Sequence, residues 1–364
     1  MGISDEDRAR IESLRSEIRS ELTSYYDTDF NLLRWLKGHN YRLEEVLPKL
    51  RNHLALRRSP FQLDSLVDKP RDHPVHRYWR AGLTGPAGPQ TPHALVNVEQ
   101  TGSNDYWGLL HAFPLNEIMK ARIHDLESML RAVMELEASS GHQSSIMYIM
   151  DLNGLRYEKK LVTLMTGALA SISNFMSEHY VELIHSFVLV NAPSFISLVW
   201  SIASPLLPER TRQKVKILGA SSWRREILTL ARPEALPAYW NAEAGTDNSQ
   251  AEPVFKASVD KAVAVEKDSY YTGGPLESVE VLTVVAGKMA FIGIAGKKDQ
   301  TLEWVFETDG HFGYGVYLCE DEKEEDLDKM KLVYPRFNVS LSAHTTLHLR
   351  LVAESPWPDI RPDK

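Results

Sequence analysis

The chain has 364 residues, 43% of them hydrophobic and 25% charged, and a net charge of -8. That length exceeds one compact core and predicts two or three domains, with the composition of a soluble globular protein. The acidic balance excludes nucleic acid as the main partner, since phosphate backbones need clustered Lys and Arg. The single cysteine, Cys319, excludes an intrachain disulfide framework and fits a reducing compartment.

The opening MGISDEDRAR lacks the apolar run of a secretory signal, and Glu6 stands where myristoylation wants Ser or Thr. A cytoplasmic, unanchored protein is expected. Residues 1–75 read as a helical segment. Ile11, Leu14, Ile18 and Leu22 recur at helical spacing behind Ser4 as N-cap. A second helix starts near Thr28, carries Phe30, Leu33 and Leu36 on one face and stops at Gly38. A third uses Leu43, Val46, Leu47, Leu50 and Leu54, bent or interrupted at Pro48.

Residues 76–244 change to strands separated by helices. Ala81 to Pro92 is rich in Gly and Pro and reads as a loop. Candidate strands are Ala94–Glu99, Ser145–Asp151, Ser186–Val190 and Val215–Leu218. The intervals between them suit helical crossovers rather than hairpins. The strands are apolar on both faces, as in Ile146 to Met150, which predicts an α/β domain with a mainly parallel sheet.

From Leu183 to Pro208 no residue carries a formal charge. A membrane-spanning helix is disfavoured, because Asn191, Pro193, Pro205 and Pro208 break the run. The better parse is a strand to Val190, a turn at Asn191-Ala192-Pro193, and a helix from Ser194 to Ser204. Ser194, Ser197, Ser201 and Ser204 form one stripe, while Phe195, Leu198, Val199 and Ile202 line another side. An outer face that is polar yet uncharged suits a moving lid over an apolar cavity. It equally suits a buried core helix whose serines bond back to the backbone.

The sequence holds no nucleophile elbow, zincin motif or phosphate-cradling loop. His179, Glu182 and His185 come nearest to a metal site, but no second Glu-x-x-His pair exists to complete one. Neither a catalyst, a metal nor a cofactor is expected.

Tyr180-Val181-Glu182, Asn191-Ala192-Pro193, Pro205-Leu206-Leu207, Thr211 with Lys214, and Leu218-Gly219 follow one another in order. With Asp29 to Lys37 upstream and Leu236-Pro237 downstream, this series resembles the CRAL-TRIO lipid-binding family over about residues 28 to 240. The resemblance implies that the helix is a gate comprising Ser194, Phe195, Ile196, Leu198, Val199, Ile202, Leu206 and Leu207. It implies a lipid head-group site at Glu182, Thr211 and Lys214, as in phosphatidylinositol-transferring members. Expected pocket walls are Tyr148, Met150, Val188 and Val190 from strands, and Leu161, Met165, Leu169 and Ile172 from the preceding helix. Phe195, Val199 and Trp200 would close the pocket from the gate. This chain departs from the family at Val181, at Lys37-Gly38-His39 and at Tyr239-Trp240-Asn241, which leaves room for a neutral or isoprenoid lipid.

Residues 245–274 read as a linker, small and polar with Gly273-Gly274-Pro275 near its end. Beyond it, in 275–355, the period switches to two. Leu302, Trp304 and Phe306 alternate with polar or smaller residues, as do Leu347, Leu349 and Leu351. This predicts an all-β sandwich, and TLEWVFETDGHFGYGVYL resembles the core of a GOLD domain. The expected protein holds one hydrophobic lipid of phosphoinositide, tocopherol or isoprenoid type and exchanges it transiently with membranes. The alternative is a lipid-sensing adaptor that recruits a protein partner through the GOLD-like part.

Overall fold

A computed structural model describes residues 2–243 apart from 60, 114 and 208, and then 255–270, 280–296, 306–308, 312–321, 323–339 and 345–347. Three helices come first: α1 (Asp5–Ile18), α2 (Asp29–Gly38) and α3 (Leu43–Arg57). Ser4 caps α1 by accepting from the Asp7 amide, and Thr28 caps α2 by accepting from that of Asn31, so each helix start gains an acceptor for an orphan donor. Helix α3 is not interrupted at Pro48. Val46, Leu50 and Leu54 are buried along one side of α3 and hold the helix across it.

The turns α4 (Leu63–Leu66) and α5 (Val75–Tyr78) lead into a five-stranded sheet. Its order is β1 (Ala81–Pro86), β2 (Ala94–Glu99), β3 (Ser145–Asp151), β4 (Ile184–Ala192) and β5 (Val215–Gly219). Strands β2 to β5 are parallel and β1 is antiparallel to β2. Strand β1 replaces the expected loop. It is an edge strand, where Gly and Pro are tolerated, and its register slips between Leu83 and Gly85, with Gly85 at φ 134.

Helices α6 (Tyr106–Ala112) and α7 (Leu115–Ser140) connect β2 to β3, while α8 (Lys159–Thr166) and α9 (Ala168–His179) connect β3 to β4. Helices α10 (Ile196–Ala203) and α11 (Glu209–Gln213) connect β4 to β5, and α12 (Trp223–Ile227) follows. Strand alternation divides the sheet into two faces. Val96, Val98, Met147 and Ile149 share a core with Trp223, Trp240 and Phe255. Ile146, Tyr148 and Ile184 join the larger core built by α1 to α3, α7 and α9.

Residues 255–270, expected within the linker, instead pack on this domain. Phe255 and Val265 are buried, Pro237 bridges Ala257, and the Gln100 amide donates to the Asp260 carbonyl at 2.6 Å. The remaining linker residues, 245–254 and 271–274, lie outside the described residues. Further on, β6 (Phe306–Thr308) pairs with β9 (Thr345–Leu347), and β7 (Phe312–Leu318) with β8 (Lys331–Val339), both antiparallel. Among the described residues these are two separate two-stranded sheets, and the expected sandwich is not formed there. A period of two marks strands but says nothing of how strand pairs stack. Leu302, Trp304, Leu349 and Leu351 lie outside the described residues.

Candidate functional site

Strand β4 ends in a sharp turn. Asn191 takes φ 56, a left-handed conformation that Asn accepts more readily than most residues. Helix α10 then begins at Ile196, two residues after the start expected from Pro193, and tightens into a 3-10 turn at Ser204–Leu206. Val199 points inward and is buried, whereas Leu198 and Ile202, one turn apart, are 51% and 37% exposed. Ser201 donates its hydroxyl to the Leu198 carbonyl at 2.7 Å, so it needs no outside partner. Phe195 rests against Tyr157 with ring centroids 5.6 Å apart. Under the helix lies a small apolar cluster of Leu152, Leu189 and Ala192, joined by Met150, Phe187 and Val215.

A polar cleft of about 300 Å³ opens beside β4, lined by Lys37, Gln143, Ser144, Ser145, Glu182 and His185. Glu182 is its hub. Lys214 donates to Glu182 at 3.0 Å and to the Ile184 carbonyl at 2.9 Å. Arg210 of α11 donates to Glu182 at 3.1 Å and to Asn40, just after α2, at 2.8 Å. Lys37 donates to Gln143 at 2.7 Å. Partial burial, then the Lys216 and Lys214 charges, hold the His185 imidazole below its usual range. The site therefore presents cations and hydrogen-bonding groups around one carboxylate, an arrangement suited to a polyhydroxylated anionic group.

A second, much smaller cavity of about 10 Å³ lies between α6, α7, α8 and α9, bordered by Trp79, Tyr106, Ile118, Leu169 and Ile172 among others. It has room for about one water.

Residues 92–241 match the model of the CRAL/TRIO domain, and residues 3–66 match a domain of unknown function. The region from β2 to Asn241 is thus similar to a CRAL/TRIO domain. A CRAL-TRIO domain-containing protein of Caenorhabditis elegans is 29% identical over 236 residues, covering 63% of this chain and 56% of the relative. A phosphatidylinositol/phosphatidylcholine transfer protein of Arabidopsis thaliana is 24% identical over 253 residues, 66% of this chain and 41% of that protein. The chain thus spans about half the length of these relatives. The crystal structure of Sfh5 superposes with a TM-score of 0.52 at 14% identity, covering 72% of this chain and 94% of the other, which shows a shared fold.

Within this region the structure gathers some expected site residues and separates others. Glu182 and Lys214 meet directly, and the Thr211 carbonyl accepts from the Lys214 amide at 3.1 Å. Tyr148 and Met150 share the large core with Leu169 and Ile172, and Met150 also joins the cluster that reaches α10, whereas Leu161 and Met165 of α8 are half-buried and belong to neither. Val188 and Val190 do not belong with Tyr148 and Met150. They align with Ile149 and Asp151 and pack on the opposite face with Trp223 and Trp240. The strand is apolar on both sides, so alternation alone left its inner face undetermined. Phe187 and Leu189 hold the gate-side positions instead. Among the described residues no three His, Cys, Asp or Glu converge as a metal site, and His179 turns away from the cleft to meet His53.

Arg210, Asn40 and Lys37 were missed because they reach the cleft only through tertiary structure. The departures at Gly38 and Val181 explain one another. A Cβ on Gly38 would stand 2.0 Å from Val181 Cγ1, and valine is stiff about χ1. A Gly38→Ala variant is therefore expected to lose about 1–3 kcal/mol, read from urea unfolding, and to recover most of it when Val181 is also made alanine. No recovery in the double variant would refute the pairing.

Proposed function

We propose that this chain binds one hydrophobic lipid between the Tyr148–Met150–Phe187–Leu189 face of the sheet and helices α8 to α10, and carries it between membranes. The observation that supports this best is α10 itself. It is an uncharged helix with Leu198 and Ile202 facing outward and Val199 inward, and it follows the left-handed turn at Asn191. A helix whose outer face bears no charge loses little when it leaves water for a bilayer surface. Ser194, Phe195, Ile196, Leu198, Val199, Ile202, Leu206 and Leu207 form the gate, and Leu161, Met165, Leu169, Ile172 and Trp200 complete the chamber.

Energetics explain why a carrier is useful. Burying a methylene is worth about 0.8 kcal/mol, so a lipid with roughly 30 methylenes faces about 24 kcal/mol on entering water. A protein chamber only has to match the bilayer, which removes the barrier without requiring tight binding. No catalytic group is needed for this task. Among the described residues no helix is long and apolar enough to cross a membrane, in keeping with a cytoplasmic protein that touches membranes transiently.

Glu182, Thr211 and Lys214 are assigned to the lipid head group, with Arg210 and Lys37 as additional cations of the cleft. A Lys214→Ala variant is expected to bind phosphatidylinositol about tenfold more weakly or worse, the loss of one charge-assisted hydrogen bond, with an apolar ligand unaffected. Unchanged phosphatidylinositol affinity would remove Lys214 from the site. The overall reading is tested by transfer of labelled lipid from donor to acceptor vesicles. Binding with little transfer would favour the adaptor reading, and neither binding nor transfer would end both.

A further inference from the structure

Three buried donors on the inner side of the sheet lack acceptors among the described residues: Trp79 Nε1, Asn97 Nδ2 and Arg122 Nε. Their residues are 4%, 2% and 1% exposed, and buried polar groups are otherwise almost always paired. The three sit in one neighbourhood. Asn97 is the strand partner of Tyr148, Arg122 donates to the Tyr148 hydroxyl at 3.0 Å, and the Arg122 guanidinium lies 4.7 Å over the Trp79 ring. The acceptors nearby are already engaged. Glu99 accepts from Tyr148, from Tyr106 at 2.6 Å and from Thr101 at 3.2 Å. Asp125 accepts from Arg122 at 2.8 Å and from Arg71 at 2.7 Å. Trp79 and Tyr106 also border the small cavity that Leu169 and Ile172 close from above.

We infer that this donor-rich wall receives the oxygen of a lipid's buried end: a small, uncharged acceptor such as a hydroxyl or carbonyl. The inference rests on the lipid-binding reading and narrows it to lipids with one modest oxygen function at the inserted end. An anionic group does not suit the wall. Arg122 and Arg71 are balanced by Glu99 and Asp125, and an added buried charge would have no counterpart. An all-hydrocarbon end suits it less well, since three donors would remain orphaned, so a diacyl lipid such as phosphatidylinositol would be held through its head group alone. The cleft at Glu182 and Lys214 lies by the starts of β4 and β5, whereas the wall lies by β1 to β3 and α7, so the two sites are separate and could take different ends of one ligand.

The test uses the full chain and two probes that differ by one oxygen, 1-dodecanol and dodecane, each competing with diphenylhexatriene monitored by fluorescence. Asn97→Leu keeps the side-chain shape and removes one donor, while Trp79→Phe removes one donor and keeps an aromatic ring in its place. In each variant the preference for the alcohol over the alkane is expected to fall about tenfold relative to the native protein, with dodecane competition unchanged. Asn97→Leu is expected to unfold at no lower temperature than the native protein, since it deletes an orphaned donor, which secures one folded variant. An alcohol preference unaltered in both variants overturns the inference, leaving the donors to ordered water, while lipid binding stands. Failure of diphenylhexatriene and both probes to bind overturns the lipid-binding reading and this inference together.

Discussion

An Arg57→Ala variant is expected to lose about 3–5 kcal/mol of folding free energy, a fall readable in urea or thermal unfolding. Arg57 sits at the end of α3 with its side chain fully buried, and both its terminal nitrogens donate to Glu127 of α7, at 3.0 and 3.1 Å. Its Nε donates to Asp64 at 2.6 Å, and its guanidinium lies 4.4 Å over the Tyr26 ring. Tyr180 adds a hydroxyl to Glu127 at 2.8 Å. Removing the arginine leaves a buried carboxylate with one neutral donor, which is why breaking such a pair costs far more than an exposed one. A double variant, Arg57→Met with Glu127→Leu, removes both charges and is expected to recover most of the loss. Equal loss in the single and double variants would show that packing, rather than the stranded charge, sets the cost. The pair joins α3 to α7, and Tyr180, which donates to Glu127, stands two residues before Glu182, so loss of the pair is expected to loosen the polar cleft as well.

Local chemistry was readable from the sequence and long-range pairing was not. Ser4 and Thr28 announced their helices because a cap is a contact between residues three apart. The strand, turn and helix of β4 to α10 were visible because twenty-six residues without charge, punctuated by Asn191 and Pro193, permit few other structures. Strand β1 was hidden, since Gly82, Gly85 and Pro86 resemble a loop until β2 supplies an edge to pair with. The Arg210 contact to Asn40 joins residues 170 positions apart, and that of Arg57 to Glu127 spans 70. A lone arginine or glutamate in a sequence looks solvated, and only the fold reveals the partner that makes its burial tolerable. The division of Val188 and Val190 from Phe187 and Leu189 follows the same rule, because a strand apolar on both sides carries no signal of which side is which.

The same limit applies to His179, whose partner, His53, stands 126 positions away. The two imidazoles meet Nδ1 to Nδ1 at 3.4 Å between α3 and α9, ringed by Tyr26, Trp35, Phe175 and Tyr180. Such a contact requires that one nitrogen donate and the other accept, so the pair cannot hold two protons without repulsion. Burial pulls His179 down to about 3. Burial, then the Arg57 charge, then His179 hold His53 well below the histidine range. Both are therefore neutral in the folded protein, while in the unfolded chain they take up protons below about pH 6.5. Between those limits the unfolded state binds more protons, so stability is complete above about pH 6.5 and is lost as the pH falls towards 3. Each buried histidine contributes a slope of about 1.4 kcal/mol per pH unit, and the pair about 3 kcal/mol per unit. Glu117 and Asp125, both held low by hydrogen bonds and neighbouring cations against the opposing effect of burial, add their losses only below the ordinary carboxylate range. Urea unfolding between about pH 6.5 and 5 therefore reads mainly the histidines, against an opposing contribution from Glu127 and Glu137, whose carboxyls burial pushes up. Arg57 is the cation beside His53, and its charge opposes protonation of that ring. A His53→Phe, His179→Leu double variant is expected to flatten the profile in that interval, leaving the smaller slopes of His39 and His185. A profile equally steep in the double variant would place the acid sensitivity elsewhere and leave the joint between α3 and α9 indifferent to pH.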